Sequence, residues 1–184
     1  MAFITANTLI TSISLFHITI AYFLITNPRT ISDQVFVYIL GESMTMPPVR
    51  DFDTPSPSLS FLAVFLAFCG LSDLVSLSMP EELGALYYWG TQAPFRCFLS
   101  FLSVTFSYLF SPFSPLMTMS RTSRNPAYTF KHGASSGLDG LKNRVFFTFM
   151  FIEMITWFWI WITLREERAG VVDRLRKKQS REQH

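Results

Sequence analysis

Charged residues are scarce in this sequence. Asp, Glu, Lys and Arg make up only 15% of its 184 residues, whereas 49% are hydrophobic and 20 are phenylalanine. An average soluble domain carries about 25% charged residues, so this chain has too little polar surface to dissolve alone. The mean hydropathy of +0.30 agrees with that deficit. The composition therefore predicts a polytopic membrane protein without a separate soluble domain.

Cysteine and histidine are also rare. The two cysteines, Cys69 and Cys97, lie in apolar segments, which favours buried thiols over a disulfide. The three histidines stand at positions 17, 132 and 184, too scattered for the ligand spacing of a metal site. The sequence predicts no metal and no cofactor.

A long apolar run lies between Arg144 and Arg165. Twenty residues separate these two arginines, and the only charge among them is Glu153. Twenty helical residues extend about 30 Å, close to the thickness of the hydrocarbon core of a bilayer. Trp157, Trp159 and Trp161 in its second half are typical of the boundary between lipid tails and headgroups. The run predicts a transmembrane helix with one acid near its middle.

Three further apolar segments complete the predicted architecture. Prolines and polar stretches separate them, and short apolar or aromatic segments between them are expected at the membrane interface. The predicted fold class is an all-α membrane protein, a four-transmembrane-helix bundle with short interfacial segments. Its single domain covers residues 1–170, with spans at about 4–26, 58–78, 94–111 and 145–164.

A basic tail, residues 171–184, follows the last predicted span. Lysines and arginines near the spans number eight on the side of the termini and seven on the other side. The tail is the denser group, so the charge distribution favours both termini in the cytosol.

Four ionisable residues lie inside the predicted spans. Asp73, near the end of the second span, and Arg96, near the start of the third, fall at similar depth in antiparallel neighbours and are expected to form an ion pair. His17 lies near the middle of the first span, where an interhelical hydrogen bond is favoured over proton transfer. Glu153 is a functional candidate because an acid in hydrocarbon is costly.

Small residues recur at helical spacing in two spans. Such stripes let helix backbones approach closely, so these positions predict helix–helix packing surfaces. They are Ala63, Ala67 and Gly70 in the second span and Ser100, Ser103 and Ser107 in the third.

Several of these positions fall in motifs of a known family. The sequence resembles the fungal increased-loss-of-mitochondrial-DNA protein family across all four predicted spans. The resemblance implies a multi-pass protein of the endoplasmic reticulum membrane with an indirect link to maintenance of mitochondrial DNA, and it supplies no reaction. The motifs are Ser72-Asp73-Leu74-Val75, Pro94-Phe95-Arg96, Ser107-Tyr108-Leu109, Glu153 twelve residues before Arg165, and Arg165-Glu166-Glu167. His17, the stretch 115–141 and the basic tail depart from the shared pattern.

Two function classes remain open. The first is a non-enzymatic accessory or assembly subunit, or a chaperone, for a larger integral membrane protein, favoured because the sequence has no convergent polar cluster. The second is a small transporter or lipid-handling enzyme that uses Glu153 and His17. Nucleic acid is not an expected partner, since the basic residues flank membrane spans without a groove-reading motif.

Overall fold

The computed structural model describes residues 5–49, 52, 54–80, 83–111 and 140–182. All regular elements in this part of the chain are helical. A five-residue π-helix, Gly84–Tyr88, leads directly into the α-helix that begins at Trp89. The α-helices are α1 (Ala6–Thr26), α2 (Arg29–Ser32), α3 (Val35–Ser43), α4 (Pro57–Ser76), α5 (Trp89–Leu109) and α6 (Arg144–Glu182).

Side-chain caps mark where three of the long helices begin. The hydroxyl of Thr5 accepts a hydrogen bond from the Thr8 N–H at the start of α1. Ser56 accepts one from Leu59 at the start of α4, and Asn143 Oδ1 accepts one from the Phe146 N–H at 2.8 Å. These bonds satisfy backbone donors that a helix leaves unpaired in its first turn.

Three of the long helices have the length and apolarity to cross a membrane: α1, α4 and the Arg144–Gly170 part of α6. The prediction of an all-helical chain with apolar spans is confirmed to this extent. A fourth crossing is not confirmed, because α5 includes Thr91, Gln92 and Arg96 as well as several serines. These polar residues lower its apolar content.

Two helices extend beyond the bounds predicted for their spans. The third span was expected to begin at Pro94, but α5 begins at Trp89 and contains this proline. A proline removes one backbone donor without ending a helix whose other contacts hold it. The tail was expected to separate from the last span near residue 171, but α6 continues without a break to Glu182.

The long helices pack mainly as two pairs, α1 with α4 and α5 with α6, and α6 also contacts α1. Two apolar clusters fill the interior. One joins the first half of α1 to α5 and to the later part of the α6 span, and it contains Ile10, Ile13, Trp89, Trp157 and Ile160. The other joins the second half of α1 to the first half of α4, and it contains Ala21, Leu24, Leu59, Ala63 and Leu66.

Helix α3 packs on the start of α6 and closes one end of the bundle. A Cβ added at Gly41 would lie only 2.6 Å from Arg144 Cβ. The absence of a side chain at Gly41 therefore lets α3 and α6 pack closely. The Arg144 N–H donates to the Pro47 carbonyl at 3.2 Å, and its guanidinium lies 5.7 Å from the Tyr38 ring centroid. The short apolar segment before residue 47 is thus anchored to the bundle.

Glu167 ties α6 to the beginning of α1. Its Oε1 accepts a hydrogen bond from the backbone N–H of Ala6 at 3.0 Å. A carboxylate at this end of a helix also interacts favourably with the helix dipole.

We expect Glu167→Ala to lower the free energy of unfolding by about 1 kcal/mol, measured by thermal unfolding in detergent micelles. Glu166→Ala is the control, since Glu166 is exposed; equal effects of the two changes would contradict this role.

Candidate functional site

His17 and Glu153 meet inside the bundle. Nε2 of His17 lies 2.5 Å from Oε1 of Glu153, and both side chains are buried. The second carboxylate oxygen, Oε2, accepts a hydrogen bond from the indole N–H of Trp157 at 2.7 Å. Trp157 is on the same face of α6 because it follows Glu153 by four residues. Both oxygens of the buried acid are therefore occupied.

Asp73 and Arg96 form the expected ion pair between α4 and α5. The guanidinium donates two hydrogen bonds, Nη1 to Oδ2 at 2.6 Å and Nη2 to Oδ1 at 2.8 Å. The Asp73 side chain is 1% exposed and that of Arg96 is 28% exposed. This two-pronged geometry is the strongest arrangement available to a carboxylate and an arginine.

Tryptophan rings connect these two pairs. The Arg96 guanidinium carbon lies 4.7 Å from the Trp157 ring centroid and 5.9 Å from that of Trp89. The two indoles are stacked with centroids 6.1 Å apart. A cation over an indole face is stabilised most when water is excluded. We call His17, Glu153, Trp157, Arg96 and Asp73 the polar layer; it links all four long helices.

One atom of the polar layer lacks a partner. His17 Nδ1 is buried and makes no hydrogen bond. We place the imidazole proton on Nε2, where it donates to Glu153, because this leaves only an acceptor unbonded at Nδ1. The other neutral tautomer would leave a buried N–H donor at Nδ1 without an acceptor, which is the costlier arrangement.

The polar layer joins the long helices through its side-chain contacts. Each carboxylate oxygen of Asp73 and Glu153 already has a donor. Among the described residues, no group of three or more His, Cys, Asp or Glu side chains could bind a metal ion. His132 and His184 lie outside the described residues. Cys69 and Cys97 are free, half-buried thiols.

The small-residue stripe of α4 packs against α1 of the same chain. A Cβ added at Gly70 would lie 2.7 Å from the Ser14 carbonyl oxygen and 3.3 Å from His17 Cβ. Ala63 is completely buried and Ala67 is half-buried in the same interface. This stripe is consequently used within the fold.

The serines of α5 have different surroundings. Ser100 is 7% exposed, and the fully buried Ser107 donates its hydroxyl hydrogen to the Leu141 carbonyl at 3.0 Å. Ser103 is half-buried and bonds only to the Leu99 carbonyl in its own helix. Ser107 is the member of this set that fastens α5 to the segment preceding α6.

Two functional side chains were missed by the sequence reasoning. Trp157 was interpreted as an interface aromatic together with Trp159 and Trp161, but it is 1% exposed and they are 52% and 40% exposed. Its spacing of four residues from Glu153 was the available signal. Trp89 was assigned to an interfacial segment, yet it is 2% exposed and stacks on Trp157.

Helices able to cross a bilayer and buried ionisable groups paired between them are the features of an α-helical membrane protein. Within that class, the chain belongs to the family described as increased loss of mitochondrial DNA protein 1, whose family model matches residues 4–174. The family assignment made from the motifs is thereby confirmed. No curated protein and no solved structure matches the sequence.

Proposed function

We propose that this protein is a non-enzymatic membrane factor of the endoplasmic reticulum. In this proposal it is an accessory or assembly subunit, or a chaperone, for a larger integral membrane protein. Its loss would affect mitochondrial DNA indirectly, through that partner, which agrees with the description of the family. Both termini face the cytosol, and no cofactor or nucleic acid takes part.

The observation that carries this proposal is that both buried carboxylates of the polar layer are fully bonded within the chain. Buried ionisable groups in a membrane protein often handle ions, protons or substrates. Here Asp73 is bonded twice to Arg96, and Glu153 is bonded to His17 and Trp157. Groups that satisfy one another in this way stabilise a bundle and leave little hydrogen-bonding capacity for a substrate.

The outer surface of α4 offers the partner a row of aromatic rings. Phe61, Phe65 and Phe68 recur at spacings of four and three residues and are 76%, 57% and 69% exposed. The small-residue stripe on the opposite side is already covered by α1. In a bilayer, an outward apolar row contacts either lipid or another helix through van der Waals packing. We assign docking to this row.

Helix α5 is proposed to be the fourth crossing. Its 21 residues extend about 31 Å, enough to cross the hydrocarbon core. Its most polar side chain, Arg96, bonds inward to Asp73, and Ser100 and Ser107 are buried. Phe95, Phe98 and Phe101 are exposed on its surface. A transmembrane helix in a bundle is expected to turn its polar side chains toward neighbouring helices and its apolar side chains toward lipid, as α5 does here.

Docking is tested by conservative changes on the outer row. Replacing Phe61, Phe65 and Phe68 together by leucine keeps that surface apolar but alters its shape. We expect the triple variant to fold and enter the membrane normally, to lose its co-purifying partner in mild detergent, and to raise the frequency of mitochondrial DNA loss in a fungal host. The matched control replaces Phe95, Phe98 and Phe101 on α5 by leucine. Retention of both partner and mitochondrial DNA by the α4 variant would exclude this docking row.

A transporter or lipid-handling enzyme is the second candidate function, favoured by the buried His17–Glu153 contact and the unbonded His17 Nδ1.

The substitution Glu153→Gln distinguishes the two candidate functions. The amide oxygen can still accept from Trp157, but its NH2 group can donate to His17 Nε2 only if the imidazole proton moves to Nδ1, where it has no acceptor. We therefore expect a loss of about 1–3 kcal/mol in stability. If docking is the activity, mitochondrial DNA is maintained at normal protein levels. Loss of maintenance with undiminished protein would favour proton or substrate chemistry at Glu153.

A further inference from the structure

An apolar cavity of about 890 Å³ lies beside the polar layer. Side chains of α1, α2, α3, α4 and the first part of α6 form its walls, together with residues between α3 and α4. Its size falls within the range of small-molecule sites, about 300–1,000 Å³. It reaches from the start of α6 down to Ile152, eight residues or about 12 Å along that helix. The cavity thus extends through roughly one leaflet of a bilayer about 30 Å thick.

The polar lining of this cavity is entirely uncharged in the part of the chain that the structure describes. Its deep end is formed by apolar residues such as Phe16, Leu66 and Ile152. The polar groups cluster near the start of α4 and of α6, where the membrane boundary is expected. They are Thr30, Gln34, Thr54, Ser56, Ser58, Asn143 and Thr148, with Thr19 farther along α1. This distribution fits an amphipathic ligand with an uncharged head.

Thr148 supplies an independent sign of a ligand. It lines the cavity, is 2% exposed, and its hydroxyl has no hydrogen-bond partner in the structure. A threonine inside a helix commonly bonds to a carbonyl one turn earlier, as Thr19 does to Leu15. An unpaired buried hydroxyl is costly, and a hydrogen-bonding group of a bound ligand would supply the missing partner.

We propose that the cavity binds one diacylglycerol-type lipid, with the acyl chains against the deep apolar walls. The glycerol head would lie near Thr148, whose hydroxyl can donate to an ester carbonyl or accept from the lipid hydroxyl. Gln34 at the mouth adds an amide donor and acceptor. A phosphate head is disfavoured because the described lining contains no cation to neutralise it. This lipid site goes beyond the docking role and does not depend on it.

Photoaffinity labelling tests the lipid and its head group. The full chain is reconstituted in phosphatidylcholine vesicles with photoreactive diacylglycerol, phosphatidic acid carrying the same acyl chains, or a photoreactive sterol. We expect diacylglycerol to label the cavity-lining peptides of α1 and α6 about tenfold more than phosphatidic acid does. A tenfold difference in affinity corresponds to the loss of about one hydrogen bond. Equal or stronger labelling by phosphatidic acid or by the sterol overturns the assignment. Absence of labelling, as when another helix fills the cavity, overturns it as well.

Two variants locate the site. Thr148→Val removes the hydroxyl at nearly constant volume; we expect about fivefold to tenfold weaker labelling with equal or higher thermal stability without lipid. Leu62→Trp fills the cavity from a 41% exposed lining position and should abolish labelling. Val64→Trp is the control, on the same helix, 64% exposed and away from the lining. Unchanged labelling in Thr148→Val, or equal labelling in both tryptophan variants, would rule out binding in this cavity.

Discussion

Replacing Gly70 with leucine is expected to prevent stable folding. Even a single added carbon would lie 2.7 Å from the Ser14 carbonyl oxygen, a backbone atom that cannot move aside without shifting α1. The remaining leucine carbons would press on His17 and Ile18, which border the same site. Overpacking in a tight interface costs 1–3 kcal/mol and sometimes more, and we expect at least about 3 kcal/mol here. Thermal unfolding in detergent and the steady-state protein level measure this loss.

Gly170→Leu is the matched control for that experiment. Gly170 is in helix α6, and no atom lies within 4 Å of an added Cβ. The same substitution there should leave stability unchanged or raise it by about 1 kcal/mol, because leucine favours helix more than glycine does. If Gly70→Leu were as stable as Gly170→Leu, the close approach of α4 to α1 would be wrong.

Replacing Arg96 with methionine is expected to have a similarly large effect. The change leaves the Asp73 carboxylate, 1% exposed, without either of its two hydrogen bonds. Removing one partner of a buried ion pair costs about 3–5 kcal/mol, since an uncompensated charge remains. Trp157 would also lose the cation over its ring. We expect little folded protein, assayed by size-exclusion chromatography in mild detergent.

The double variant Asp73→Leu with Arg96→Met distinguishes charge from packing. Replacing both members of a buried pair by apolar residues is often neutral, so we expect the second change to restore most of the lost stability. Additive losses from the two changes would instead assign the effect to packing around Trp157. The double variant also provides a folded protein in which the α4–α5 ion pair is absent.

The sequence shows which charged residues lie within the apolar helices, but it indicates their partners only in part. Asp73 and Arg96 flank a short connection, so their separation of 23 residues placed them together. His17 and Glu153 are separated by 136 residues, and the rotation of α1 against α6 that joins them depends on packing across the whole bundle. Hydrophobic periodicity places residues on a helix face without specifying which helix covers that face.

The small-residue stripe illustrates the same limitation. Spacing correctly indicated that Ala63, Ala67 and Gly70 lie on one face and that another helix could approach it closely. Whether that helix belongs to this chain or to a partner is a tertiary property, and α1 occupies the face here. We therefore assign docking to the opposite face of α4, where Phe61, Phe65 and Phe68 are exposed.

Helix boundaries and the cavity depend on context in other ways. Pro94 predicted a helix start, but contacts of Trp89 and Ala93 with the apolar cluster extend α5 in the N-terminal direction. The cavity arises where side chains of five helices and of the segment between α3 and α4 leave space between them, which no local pattern in the sequence encodes. The unpaired hydroxyl of Thr148 is visible only once its neighbours are placed.

Purification of the full chain from membranes in mild detergent, followed by native mass spectrometry, tests the docking role most directly. The account predicts a complex with one larger integral membrane protein at fixed stoichiometry, retained by Glu153→Gln and lost when Phe61, Phe65 and Phe68 are replaced by leucine. A wild-type chain recovered without a protein partner, from cells that maintain their mitochondrial DNA, would contradict it.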